Sequence, residues 1–244
     1  MGDGVTRIQC WSGPRNISTA LMYSFRQRAD TTVVDEPLYA HYLSNDDRSH
    51  PGVAAVLASQ STDPDEVIRD VILGEYPTPV LYLKQMAHHL RGVDRSHLAF
   101  TENILLTRDP HDMLASLSIQ LPGCDLTDTG LVECVELLDA VLAEGGRPLV
   151  IDSQVLLRDP AGVLAQVCAH VGIDFDPAML SWPAGPKPED GAWAPHWYDN
   201  VHASTGFAPY APRSRQVPAH LESVLADAIP LYARLAEYAL RTEG

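Results

Sequence analysis

Val5-Thr-Arg-Ile-Gln-Cys-Trp-Ser-Gly-Pro-Arg-Asn-Ile-Ser-Thr19 decides how the chain begins to fold. Val5–Trp11 reads as a buried strand. Gly13 and Pro14 force a tight turn, and Ser18 and Thr19 start a helix that runs to about Ala29. A strand feeding a helix through so short a turn brings the unpaired N–H groups and the positive end of the helix to one spot, where Arg15 adds a full charge. The stretch therefore reads as an anion cradle. It is not a Walker A loop, since that motif's glycine spacing and its lysine are both missing.

Outward from this stretch, strand signals return at Thr31–Asp35, Pro79–Lys84, Asn103–Thr107 and Arg147–Asp152. Helical spacing appears at Val53–Ser59, Asp65–Leu73, Leu131–Leu142, Pro160–Val171 and His220–Arg241. Asp109-Pro110 opens a further helix, because proline suits a first helical turn. Such alternation predicts an α/β fold with a central, mostly parallel five-stranded sheet flanked by helices. No repeat or low-complexity tract divides the chain, so one domain is expected over residues 1–244. Ser181–Val217 breaks the pattern. It holds Pro183, Pro186, Pro188, Pro195 and Pro209 together with Trp182, Trp193, Trp197, Tyr198, Phe207 and Tyr210. A structureless segment of this length is usually a lid or a linker, and its aromatic density argues against disorder. It is predicted to be an irregular, packed lid over a site.

Composition excludes several classes. The 17 basic and 32 acidic side chains give a net charge of −15, a field that repels phosphate backbones and anionic lipid. Neither nucleic acid nor a membrane surface is expected as a partner, and an anion must be held by a local pocket working against the global field. No apolar run is long enough to cross a bilayer. Gly2 and Thr6 fit a loose myristoylation pattern, but no polybasic second signal follows, so no anchor is expected. Cys10, Cys124, Cys134 and Cys168 lie in apolar or helical contexts without a CxxC pair, which reads as reduced core thiols of a cytoplasmic protein. Lysine is scarce: only Lys84 and Lys187 stand beside the arginines.

A second stretch, Leu105-Leu-Thr-Arg-Asp-Pro-His-Asp-Met-Leu-Ala-Ser116, sets Arg108 at the end of the fourth strand and Ser116 two turns into the next helix. An arginine fork with a hydroxyl can grip one phosphate bidentately. Taken together, the two stretches resemble the sulfotransferase family that uses 3′-phosphoadenosine 5′-phosphosulfate (PAPS). Ser12–Thr19 is similar to that family's loop for the donor's 5′-phosphosulfate, with Arg15 where many members place lysine. Arg108, Pro110, Asp112 and Ser116 match the spacing of its 3′-phosphate motif. Val150–Ser153 and Leu157–Leu164 resemble its later strand, short helix and Arg-Asp-Pro run, so the likeness spans about residues 5–175.

The resemblance implies a three-layer, P-loop-type fold and transfer of a sulfonate from PAPS, leaving 3′,5′-bisphosphoadenosine (PAP), to a hydroxyl or amine of a small-molecule acceptor without a metal. It assigns the donor to Ser12, Gly13, Pro14, Arg15, Asn16, Ile17, Ser18, Thr19, Arg108 and Ser116, with Lys187 closing from the lid. A homodimer is compatible with it. Lys84, at the end of the third strand, would bridge the sulfonate and its leaving oxygen. Many members place a catalytic histidine two residues after such a lysine; here position 86 is Met, and His88 and His89 come later. Two candidates for the base therefore stand. Glu36, in Asp35-Glu-Pro-Leu-Tyr39, needs a raised pKa, which burial can supply; His88 or His89 has a suitable one already. Glu36 is preferred. The alternatives are a P-loop kinase using Mg-ATP, with Asp35 or Asp152 as its metal carboxylate, and a catalytically silent nucleotide-binding homologue.

Overall fold

The structure is a computed structural model that describes residues 4–46, 50–211 and 216–241. Gly2 lies outside the described residues. Strands β1 (Thr6–Ser12), β2 (Thr31–Asp35), β3 (Val80–Met86), β4 (Glu102–Thr107) and β5 (Leu149–Asp152) form one sheet in the order β2-β3-β1-β4-β5. The helices, in chain order, begin with α1 (Ser18–Arg26), α2 (Tyr39–Ser44), α3 (Val53–Ser59), α4 (Pro64–Val67), α5 (Pro110–Leu117) and α6 (Leu131–Ala143). They continue as α7 (Ser153–Arg158), α8 (Pro160–His170), α9 (Ala194–Trp197), α10 (Asp199–His202) and α11 (Glu222–Ala236). The chain is α/β, as its alternating signals predict. By contacts it divides into two compact units, each built around part of the sheet.

One unit takes in the described residues of Met1–Cys10, Thr19–Asn103 and Asp176–Phe207. Here β2 and β3 run parallel, in a register that pairs Thr31 with Val80 and Asp35 with Lys84. Val-Leu-Tyr-Leu-Lys-Gln-Met of β3 is buried at every position, as a strand covered on both faces must be, and Phe25 of α1 stacks on Tyr82 at 4.2 Å between ring centroids. The strand runs two residues past the predicted end at Lys84, so His88 and His89 stand on a separate 3-10 turn, Ala87–Leu90, after Met86. Val53–Ser59 is helical as predicted, while the predicted Asp65–Leu73 helix is a short α4 continuing as a π-turn over Ile68–Ile72.

The described residues after Ser181 are largely irregular but carry some regular structure. Two short helices, α9 and α10, form among them, and Ser181 bridges Gly206 in antiparallel fashion. The aromatic side chains are the cause. Trp182 and Trp193 are buried, and the Trp182 indole donates to Ser204 Oγ at 3.0 Å, so the segment has a small core to fold around.

The other unit takes in Trp11–Ser18, Ile104–Phe175 and the described residues of Ala208–Gly244. Strands β4 and β5 pair in parallel from Ile104 with Leu149 to Thr107 with Asp152. Three of the unit's helices have an acidic cap. Asp109 accepts from His111 N at the start of α5, Asp152 from Gln154 N at α7 and Asp159 from Gly162 N at α8. Each such cap is worth about 1 kcal/mol. The C-terminal helix is shorter than the predicted His220–Arg241, because a 3-10 turn over Ala219–Leu221 precedes α11.

Candidate active site

In the second unit the turn after β1 is built from close approaches. A Cβ at Gly13 would sit 1.9 Å from the Thr129 carbonyl oxygen, so only glycine lets the chain pass there. Asn16 is buried and its Nδ2 donates to the Leu106 carbonyl of β4 at 3.1 Å, which fixes the middle of the turn. On either side of it, Arg15 and Ile17 adopt positive φ, at 61° and 62°. That conformation is costly for a residue with a Cβ, about 1–3 kcal/mol, and more so for a β-branched one. Left-handed residues flanking an ordinary one turn successive N–H groups toward a shared concavity. Ser18 then starts α1, as the sequence predicts.

Arg108 and Ser116 join this turn. Arg108 Nη1 donates to the Arg15 carbonyl at 2.6 Å, and Arg15 Nε donates to Ser116 Oγ at 3.1 Å. Asp112, one turn along α5, lies 3.5 Å from Arg108 Nη2 and steadies that guanidinium. Two arginine forks, a hydroxyl and a strained run of N–H groups therefore collect in one unit. Thr107 Oγ1, in the residue before Arg108, is buried without a hydrogen-bond partner among the described residues, a polar group that a ligand could satisfy. This is a donor set suited to phosphate, and it fits the donor that the sequence resemblance implies. Ser12, Gly13, Pro14, Arg15, Asn16, Ile17, Ser18, Arg108 and Ser116 all belong to this unit; Thr19 falls in the other.

The first unit holds a buried charge cluster. Asp35 ends β2 and Glu36 follows it, at a positive φ of 38°. Its backbone is held on both sides, the N–H donating to the Lys84 carbonyl at 2.8 Å and the carbonyl accepting from Gln60 Nε2 at 3.0 Å. Lys84, opposite Asp35 in the register, donates from Nζ to Asp35 Oδ1 at 2.9 Å, to Glu36 Oε1, and to the Tyr198 hydroxyl at 2.8 Å. An ammonium has three protons, and all are used. Tyr198 also receives the Trp193 indole N–H at 3.0 Å and donates to Asp35 Oδ2 at 2.7 Å. Gly191 N adds a longer bond, 3.2 Å, to the same Asp35 oxygen.

One cation set against two carboxylates cannot hold both as anions at low cost. Burial raises the Glu36 pKa to about 7, with Lys84 opposing and Asp35 reinforcing the shift. Burial alone would lower the Lys84 pKa, but Asp35 and Glu36 outweigh it and hold the ammonium well above its ordinary value. Glu36 is also the member with the most access to the exterior, its side chain 9% exposed against 1% for Asp35 and 2% for Lys84. A carboxyl titrating near neutrality beside a fixed ammonium is able to accept and return a proton.

The histidines sit elsewhere in this unit. His88 and His89 pack into a ring cluster with Tyr39, Tyr42 and His50; His89 stacks on both tyrosines at 4.8 Å between centroids. Burial, then His88 and Lys84, push the His89 pKa well below the imidazole range, so it stays neutral. Lys187 turns into its own loop. Its ammonium donates to the Pro183 and Gly185 carbonyls and lies 5.1 Å from the centre of the Tyr23 ring. The hub beside it is Asp190, which accepts from Tyr23 Oη at 2.7 Å, from Lys187 N at 2.7 Å and pairs with His202 Nε2 at 2.9 Å. Tyr198 is the functional residue that sequence reasoning passed over as one lid aromatic among several. A signal was available: adjacent buried acids after a strand require neutralising partners.

The fold has counterparts. The backbone matches the sulfotransferase domain from the Synechococcus PCC 7002 olefin synthase with a TM-score of 0.57 at 18% identity, covering 96% of each chain. It matches a sulfotransferase from Alicyclobacillus acidocaldarius with a TM-score of 0.56 at 15% identity, over 96% of this chain and 95% of the other. Likeness at these identities concerns the fold. In sequence, the chain is 39% identical over 226 residues to branched-chain-amino-acid aminotransferase-like protein 1 of Arabidopsis thaliana and 35% identical to protein 2 of the same name. Those matches cover 92% of this chain but span only 40% of the length of either relative. The family model described as the sulfotransferase domain matches residues 6–239, and with both phosphate stretches inside that span the chain belongs to the sulfotransferase-domain family.

Proposed function

We propose that the chain moves a sulfonate from PAPS to a hydroxyl or amine of a small-molecule acceptor. The observation that carries this reading is the donor set of the second unit, where Arg108 holds the Arg15 carbonyl and Arg15 rests on Ser116 around a turn with two left-handed residues. When bound, PAPS supplies an activated sulfonate on a 5′-phosphate, together with a separate 3′-phosphate. Arg15 and the turn's N–H groups, with Ser18, take the 5′ end. Arg108 and Ser116 take the 3′-phosphate. Sulfuryl transfer resembles loose phosphoryl transfer in leaving little bonding to the protein, so fixed charge and orientation are its main contributions.

Glu36 is the base. Its work is to receive the acceptor's proton, and a carboxyl of pKa about 7 is half ionised at neutral pH. Lys84 acts through its carboxylate partners more than as an independent anion site, because its protons are spent within the cluster. Neither carboxylate invoked by the kinase alternative is idle. Asp35 is bonded to Lys84, Tyr198 and Gly191, and Asp152 Oδ2 accepts from Tyr232 Oη at 2.7 Å while Oδ1 caps α7. Calorimetry tests the reading. PAP is expected to bind in the micromolar range without metal, and ATP more weakly with or without Mg²⁺. Tight binding of Mg-ATP with none of PAP would replace the reading by a kinase. A turnover screen with PAPS follows, and the names of the plant relatives put branched-chain amino acids and their hydroxy-acid counterparts on the acceptor panel.

A further inference from the structure

Bond directions around the Tyr198 hydroxyl are fixed by chemistry. A lysine ammonium and an indole N–H can only donate. The phenol oxygen therefore accepts from Lys84 at 2.8 Å and from Trp193 at 3.0 Å, and its one proton must go to Asp35 Oδ2 at 2.7 Å. The hydroxyl is fully used, and Tyr198, the residue between α9 and α10, delivers it to charged groups from β2, the residue after β2 and β3. Without it, Lys84 would have three protons and only two carboxylates to receive them.

We propose that Tyr198 is a positioning residue for Glu36: by accepting one hydrogen bond from Lys84 it limits the ammonium's grip on the glutamate and keeps that carboxyl able to accept a proton. This rests on Glu36 being the base of the reaction proposed above. Ionisable groups that bear on Glu36 come from every element around it: Asp35 from β2, Lys84 from β3, Tyr39 from α2 and Tyr198 itself. Lys84 outweighs Asp35 in its electrostatic effect on Glu36, so a change felt through the ammonium sets the sign. Removing the hydroxyl lets Lys84 lean on Glu36 and stabilises its carboxylate. A better-stabilised carboxylate is a weaker base.

Carboxyl-carbon NMR of protein labelled at glutamate, titrated from pH 4 to 9, reads the Glu36 midpoint directly, with Glu36→Gln assigning the resonance. Tyr198→Phe, which keeps the ring against His202, is expected to lower that midpoint by at least half a unit. It should also cut kcat about tenfold and leave the donor KM within twofold. An unmoved or raised midpoint overturns the proposal. Replacing Tyr198 with 3,5-difluorotyrosine keeps the hydroxyl and weakens its oxygen as an acceptor. It should shift the midpoint the same way by less, and it decides the matter if the Phe variant does not fold. The two readings separate cleanly. A lowered midpoint in a protein that never transfers sulfonate sinks the function and leaves the Tyr198–Glu36 coupling standing. Transfer with an unmoved midpoint does the reverse.

Discussion

The second unit hydrogen-bonds its two arginines to neutral oxygens, whereas the first bonds its cation to two carboxylates. Arg15 rests on a neutral hydroxyl and Arg108 on a carbonyl, with one carboxylate at 3.5 Å. Both guanidiniums are half-buried at the rim of a strained turn. Lys84 is 2% exposed and wrapped by two carboxylates and a phenol. The same positive charge thus serves opposite ends. A guanidinium bonded to neutral oxygens has a planar fork suited to an anion; an ammonium held by carboxylates spends its field on setting their protonation. Backbone strain falls in both regions. The three non-glycine residues of positive φ among the described residues are Arg15, Ile17 and Glu36, as if each unit stored its strain at the residue it must aim.

Lys84→Met puts the greatest stress on the contrast. Removing the cation leaves two buried carboxylates without it, and unfolding free energy is expected to fall by about 3–5 kcal/mol at neutral pH. The loss should shrink at low pH, where the carboxyls are protonated, and a second change, Asp35→Asn, should recover part of it. Denaturant titrations across pH decide this. A loss below ~1 kcal/mol would mean that Lys84 is not the cluster's counter-ion.

Arg108→Ala comes next and should behave in the opposite way. Stability is expected to stay within about 1 kcal/mol, while the donor KM rises roughly 10–100-fold, the scale of a lost charged hydrogen bond. Arg108→Lys should recover a good part of that affinity by keeping the charge without the fork. Similar, negligible effects in both variants would dissolve the phosphate clamp.

These two regions were unequally legible in the sequence, and the reason is physical. The turn after β1 is local: Gly13, Pro14, Arg15 and Ser18 lie within one strand-to-helix connection, and Arg108 and Ser116 stand just before and within one helix. Strand β2 and helix α3 likewise fall where composition put them. The charge cluster is not local. Tyr198 bonds to Asp35 across 163 positions, and no periodicity in a proline-rich segment points to that partner. Helix α2 was hidden behind Pro37, and the last two residues of β3 behind the polar Lys84-Gln85 pair, which reads as a strand end until the sheet buries it. The left-handed φ of Glu36 had no glycine to announce it.

Glu36→Gln sharpens the comparison by pH. As a base Glu36 works only when ionised, so kcat of the wild type should rise through a midpoint near pH 7 and level off above it, and Glu36→Gln should lose both most of the rate and this limb. Stability carries the opposite sign. The folded state raises this carboxyl from about 4.5 to about 7, so between those values it binds more proton than the unfolded chain does. The stability from this group is therefore greatest at low pH and is lost as pH rises through that window. The wild type should lose more melting temperature from pH 4.5 to 7.5 than Glu36→Gln does. Parallel curves would show that Glu36 is not the titrating member.

The smallest effect belongs to Lys187, the remaining lysine. Sequence resemblance sends it to the donor's 3′-phosphate, but its protons go to the Pro183 and Gly185 carbonyls and its charge lies over Tyr23. Carbonyl partners leave an ammonium charged yet directionally committed, midway between the arginines of one unit and Lys84 of the other. Lys187→Ala is accordingly expected to change the donor KM by less than about twofold. The loss of a charged hydrogen bond to the loop and a partly exposed cation–π contact should cost about 1 kcal/mol of stability. Steady-state kinetics against PAPS, set beside a melting curve, tests both halves. A tenfold rise in donor KM would move Lys187 to the arginines' side of the comparison and show that the loop gives up its own carbonyl bonds when the donor arrives.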